Sequence, residues 1–152
     1  MFDREKMIAD YNTQRDRLVD LVTSLTPDDL AQPTVCEGWT VKDLVAHMAT
    51  SASNVQPLMS RHDQPNAGID VLNQRNAEGV AKRTGQSAQE SLQELLGWHD
   101  KNVAYVRGLS DEELEVKGTL VTGEVIPRGQ RFVNAGLHYA EHGDMIRQAT
   151  GR

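Results

Sequence analysis

With a single cysteine, Cys36, the 152-residue chain cannot close an internal disulfide, which predicts a reducing compartment. An excess of basic charge is missing as well: 16 Lys and Arg stand against 22 Asp and Glu, a net charge of -6 at pH 7. That balance predicts no nucleic-acid partner and no anionic membrane surface, both of which call for a basic face. No apolar run approaches the roughly 20 residues that span a bilayer, and mean hydropathy is -0.54. The start, Met1-Phe2-Asp3-Arg4-Glu5-Lys6, is charged and has no apolar core of a secretory signal. Internal repeats and low-complexity tracts are also lacking. These absences predict one soluble, cytoplasmic domain over residues 1–152, long enough to bury a core without a disulfide or metal.

What is present is helix. Ile8, Tyr11, Leu18, Leu21, Val22 and Leu25 recur at three- and four-residue steps, as one face of an amphipathic helix does. Thr26-Pro27-Asp28-Asp29 reads as a cap followed by proline at the first helical position. After a loop from Gln32 to Trp39, Thr40 and Asp43 approximate a capping box, and Val41, Leu44, Val45, Met48, Ala52, Val55 and Met59 form one stripe. A polar, breaker-rich loop follows, 61–68. Next come a helical stretch over about 69–83, with Gly79 inside it, and another from the Ser87 cap to Gly108; the pattern allows two helices or one kinked helix. Residues 119–129 make the only extended stretch, a small hairpin or an ordered loop, and a last helix runs over about 130–149. Four principal helices with long crossovers predict an all-α four-helix bundle with a short irregular or hairpin segment before the last helix.

Five histidines are candidates for chemistry: His47, His62, His99, His138 and His142. His138 and His142 lie four apart, one turn along the same helix face, so two imidazoles can reach one ion; the alternative is two surface or core histidines. His138-Tyr139-Ala140-Glu141-His142 also spells the inverted zinc-protease signature, but those proteases take an acidic ligand from well downstream, and only Gly143 to Arg152 follow here. A third ligand is therefore expected upstream. His47 is the natural one, on the flank of its stripe beside Asp43, Thr50, Ser51 and Asn54, suited to the wall of a wet cleft or simply to an exposed edge. Arg131, Asn134, Glu141 and Met145 share the face of the last-helix pair. Asp43, Glu141 and Asp144 are candidate acceptors for the far ring nitrogens, with Glu141 best placed. Cys36 reads as a fourth ligand, a reactive thiol or a small buried filler. Trp39 reads as a staple or core anchor, His99 as a core histidine bonded to a neighbour, and His62 as solvent-exposed. Asn73 and Asn76 sit on a helix that can border the cleft.

Cys36-Glu37-Gly38-Trp39-Thr40-Val41-Lys42-Asp43-Leu44-Val45-Ala46-His47 resembles the signature of DinB-like proteins, most of all the metal-binding N-terminal domain of mycothiol-dependent maleylpyruvate isomerases. The resemblance continues through Ile69-Asp70-Val71-Leu72-Asn73, Leu109-Ser110-Asp111-Glu112-Glu113-Leu114 and His138 with His142. It implies an up-down-down-up bundle and a divalent metal, zinc or nickel first, on His47, His138 and His142. It also implies a low-molecular-weight thiol such as mycothiol, a small electrophilic substrate, and a homodimer as the common assembly. The isomerases differ in placing an acidic ligand where this chain has His138, and in carrying a further C-terminal domain that contributes to catalysis. Three imidazoles leave a coordination position open, as in catalytic zinc sites. The expected activity is thus a thiol-dependent transferase or isomerase with Glu141 as the catalytic acid–base residue. The alternatives are a metal-dependent hydrolase and a non-catalytic metal-binding or dimerisation module.

Overall fold

The computed structural model describes residues 1–152, and the long helices beginning at Arg4, Val41 and Ala88 each start where a side chain satisfies a free N–H group, whereas those beginning at Ile69 and Arg128 start from Gly68 and Pro127 without a side-chain cap. Asp3 caps α1 (Arg4–Thr23), and capping boxes open both α2 (Pro27–Leu30), from Thr26 and Asp29, and α3 (Val41–Ser60), from Thr40 and Asp43. Helix α4 spans Ile69–Ala81, and α5, capped by Ser87, spans Ala88–Arg107. A short α6 (Asp111–Glu115) precedes the antiparallel strands β1 (Lys117–Thr119) and β2 (Val125–Pro127), and α7 (Arg128–Thr150) ends the fold.

Helices α1, α3, α5 and α7 form a four-helix bundle. Both α1 and α3 pack against α5 and α7, so α1 and α3 sit diagonally and the chain crosses the bundle between them. The stripe on α3 is fully buried at Val41, Leu44, Val45 and Met48, opposite Leu95, Val106 and Ile146. The core also holds a polar network, in which His99 Nδ1 and Asn102 Oδ1 are buried without a partner. Tyr11 and Tyr139 pair their hydroxyls at 3.0 Å, and Asn102 Nδ2 donates to the Ala52 carbonyl at 2.9 Å. His99, fully buried, stacks on Tyr11 with ring centroids 4.0 Å apart and donates from Nε2 to Asn12 Oδ1 at 2.8 Å, the core role its stripe predicts. None of the helices is long and apolar enough to cross a membrane.

Between α4 and α5 the chain makes a tight turn, so these are two helices. Arg83 closes it, donating to the Gly79 carbonyl at 3.0 Å and forking onto the Glu94 carboxylate on α5. The hairpin starts two residues before the apolar alternation, at Lys117, and lies tightly on His62: a Cβ at Gly118 would fall 2.6 Å from His62 Cδ2. The 61–68 loop is stitched to this hairpin, with Gln64 N–H donating to the Thr119 carbonyl and Ala67 and Gly68 N–H to that of Val121, each at 2.9 Å.

Gly79 has a packing reason. It lets α4 approach α3 so closely that a Cβ there would lie 2.4 Å from Thr50 Cγ2, whereas Gly97 on the exposed face of α5 has open space around it. Gly79→Ala is therefore expected to lower stability by about 1–3 kcal/mol through overpacking. Gly97→Ala should raise it by about 0.5–1 kcal/mol. Urea melts of the two variants check the contrast, and equal signs for both would contradict the packing account.

Candidate metal centre

Helix α3 carries His47 and α7 carries His138 and His142, and the packing of these two helices brings the three rings together. His138 Nε2 lies 3.1 Å from His47 Nε2 and 2.7 Å from His142 Nε2. One ligand atom from each residue falls within 4.8 Å of the others. His47 and His142 are 4% and 5% exposed, and His138 is half-buried, so the cluster is more enclosed than a cleft-edge position for His47 predicts. The Trp39 indole leans on His47, ring centroids 5.0 Å apart, and so anchors one ring of the cluster as well as the start of α3.

Burial holds all three imidazoles neutral. It pushes His47 down to about 4, helped by the charge His142 would carry, and pushes His138 well below the usual range. His142 is lowered by burial too, with Glu141 partly offsetting the effect. Neutral imidazoles each carry one N–H and one lone pair, and His138 Nε2, within hydrogen-bond distance of both other Nε2 atoms, can serve only one of them, so the three nitrogens do not satisfy one another. A divalent cation accepts all three. Tetrahedral Zn²⁺ with Zn–N bonds of about 2.0–2.1 Å sets its nitrogens about 3.3 Å apart, near the His47–His138 separation of 3.1 Å and above the His138–His142 separation of 2.7 Å. The residues therefore fit a three-nitrogen metal site.

The carboxylates expected behind the rings are engaged elsewhere. Asp43 accepts from the Thr40 N–H in the α3 cap, and Asp144 pairs with Arg147 at 3.1 Å. His47 Nδ1 is buried without a hydrogen-bond partner, and His142 Nδ1 faces Met145 Sδ at 3.3 Å. Packing, with Trp39 on His47, orients the rings in place of carboxylate–imidazole pairs, which leaves them weaker bases than carboxylate-backed imidazoles. Glu141 is exposed and hydrogen-bonds to none of the three rings; its charge reaches His142 and Cys36. Cys36 is half-buried and outside the histidine cluster, and burial, then Glu37 and Glu141, push its thiol pKa up, which is the opposite of an activated nucleophile.

Beside the triad lies a cavity of about 350 Å³, lined by His47 and His138 and, further in, by Ser51, Asn54, Asn76 and Arg131. Asn76 borders it as the sequence suggested; Asn73 does not line it. His62, expected in solvent, is only 3% exposed. It donates from Nε2 to the Ile126 carbonyl at 2.8 Å and accepts at Nδ1 from Arg131 Nε at 2.8 Å. Its burial depends on a hairpin and a helix that lie far away in sequence, which a local reading of a polar loop cannot register.

A family model described as the mycothiol maleylpyruvate isomerase N-terminal domain matches residues 11–133. The chain belongs to this family. It is therefore a member of the DinB-like superfamily, and its His47 lies inside the matched region while His138 and His142 lie beyond it. No curated protein sequence matches the chain. Among solved structures, a histidine-to-alanine mutant of the mycothiol-dependent maleylpyruvate isomerase superposes with TM-score 0.75 at 13% identity, covering 95% of this chain and 61% of that one. YfiT from Bacillus subtilis, described as a probable metal-dependent hydrolase with an unusual four-helix bundle topology, gives 0.71 at 22% identity over 97% of this chain and 84% of its own. The colibactin self-resistance protein ClbS, solved in complex with a dsDNA, gives 0.72 at 16% identity over 96% and 94%. At these identities the likeness carries the fold alone. The chain spans about three fifths of the isomerase's length, 61%.

The depressed histidines make stability depend on pH. His47 and His99 both have folded pKa values of about 4 against 6.5 when free, so the unfolded chain binds protons first. Their contributions are intact above about pH 6.5 and are lost as pH falls toward about 4. Metal-free protein should lose stability steadily between pH 7 and 5 in urea titrations, and His47→Asn should cut that slope by up to about 1.4 kcal/mol per pH unit, one proton's worth. Stability that stays flat across the interval would contradict the neutral, buried assignment.

Proposed function

We propose that the chain is a single-domain, metal-dependent enzyme that uses a low-molecular-weight thiol, mycothiol or a close analogue, to transfer to or isomerise a small electrophile. The observation that carries this reading is the convergence of three neutral imidazole nitrogens beside a cavity that two of the same rings line. His47, His138 and His142 would hold one divalent ion, zinc or nickel first, through Nε2. Such an ion, when bound, supplies stabilisation of a thiolate at the position that three protein ligands leave open. Glu141 would take up the thiol's proton; it is exposed, ionisable and near enough to act electrostatically on His142. The electrophile would occupy the cavity, where 9 of the 16 lining residues are hydrophobic and keep bulk water from a reactive carbon. The single cysteine supports a cytoplasmic setting.

Hydrolysis is the second reading, favoured by the same open position, since a metal-held water can be acidified to a pKa of about 7, and by the likeness to YfiT. A DNA-binding reading draws support from ClbS, but 16 cations against 22 acids oppose it here. A non-catalytic metal-binding module, with a second copy docked on the bundle, is a further alternative.

Cobalt substitution separates these. Adding thiol to the Co²⁺-loaded protein should produce a thiolate-to-cobalt charge-transfer band, and conversion of chlorodinitrobenzene should require thiol. Glu141→Gln should then lower kcat/KM by about 100-fold or more, the typical worth of a positioned acid–base group. Ester turnover without thiol, and no band with it, would instead establish the hydrolase. Cobalt uptake with neither response would leave the non-catalytic module.

A further inference from the structure

Arg131 stands in the wall of the same cavity with a charge that no carboxylate answers. Other inward-leaning arginines are paired: Arg83 with Glu94, Arg4 with Asp111, Arg15 with Asp16. Arg131 instead donates from Nε to the neutral His62 ring and from Nη2 to the His62 carbonyl at 3.0 Å, which leaves Nη1 without a protein partner. Arg128 also bonds only carbonyls, those of Met59 and Glu113, but it does not line the cavity. Burial alone lowers the Arg131 pKa, with no neighbouring anion raising it. A half-buried guanidinium without a counter-ion is costly to maintain, and in a chain of net charge -6 it is not part of a general basic surface.

The clamp also fixes where that charge sits. His62 Nε2–H is committed to the Ile126 carbonyl, so its Nδ1 can only accept, and the ring holds Arg131 as a rigid second layer. Arg131 precedes His138 by seven residues on α7, two turns, which places the two about 10 Å apart along one helix face. Asn134 lies between them, and Asn54 and Asn76 line the cavity from α3 and α4. The cavity thus has a metal-ligating end and a cationic end.

We infer that Arg131, held by His62, forms a carboxylate-binding subsite, so that the ligand of this cavity is a small monocarboxylate whose reactive atom lies several bonds from the carboxyl group. At this end of the cavity one guanidinium with one free nitrogen, flanked by uncharged amides, matches one negative charge, and the divalent ion proposed for the other end would be answered there by the thiolate. The inference deepens the proposed function by naming the electrophile's charge, and it rests on that reading only for what happens at the other end.

Its test uses metal-free protein at pH 7, so that failure of the metal or thiol chemistry does not affect the result. Hexanoate and hexanamide are titrated into wild type, Arg131→Gln and Arg131→Lys, with binding followed by NMR, including the Arg131 Nε–H signal. Hexanoate is expected to bind wild type about 10-fold or more tightly than hexanamide and to move that signal. Arg131→Gln should abolish the preference, and Arg131→Lys should keep part of it because the charge remains. Should Arg131→Gln not fold, the wild-type signal and the lysine variant still decide. Equal affinity for the two ligands, no detectable hexanoate binding, or hexanoate binding that leaves the Arg131 signal unmoved would each overturn the subsite.

Discussion

Three neutral imidazole nitrogens within 4.8 Å of one another, in a nearly closed setting, impose the constraint on which this architecture depends. Neutral rings cannot repay burial by pairing with acids, so helix packing must hold them in place. The apolar stripe of α3 and the inward face of α7 do this. His47 sits one residue before Met48, the fully buried centre of its stripe, and His142 lies one turn before Ile146, also fully buried. The Thr40–Asp43 capping box fixes the start of α3, and Trp39 immediately before it packs on His47. One short stretch, 39–47, therefore caps a helix, anchors it and delivers one ring of the triad.

The remainder of the fold builds the space next to that triad. Helix α4 closes one wall by approaching α3 at Gly79, which brings Asn76 to the cavity. The hairpin closes another through Leu120 and Ile126, and its Ile126 carbonyl fixes His62, which in turn fixes Arg131. The elements outside the four-helix core, which contribute little to its apolar packing, thus close the cavity and fix Arg131, while α3 and α7 supply most of its lining.

Much of this was legible in the sequence. Helix period, the Thr26 and Thr40 caps and the i,i+4 spacing of His138 and His142 are local properties, and local rules recover them. The bundle itself followed from the number of apolar stripes. Assigning His47 as the third member drew on resemblance in the 36–47 stretch, because spacing alone cannot join α3 to α7. The failures have different physical causes. His62 looked exposed because the residues that bury it, Ile126 and Arg131, are more than sixty positions away. Asp43 was a candidate both for the Thr40 cap and for a ring nitrogen, and the cap holds it; Asp144, which the helical wheel turns away from His138, pairs with Arg147 instead. The Ser110–Glu113 capping box that starts α6 was present in the letters yet gave no apolar period to flag it. Where function depends on side chains meeting across elements, the sequence shows the residue types and the fold decides their partners.

Metal content tests the central claim most directly. Plasma mass spectrometry on tag-free protein, with His47→Ala and His138→Ala beside it, should find about one divalent ion per wild-type chain and none in either folded variant. A wild-type protein that takes up neither zinc nor nickel on reconstitution, or variants that retain the ion, would contradict the account.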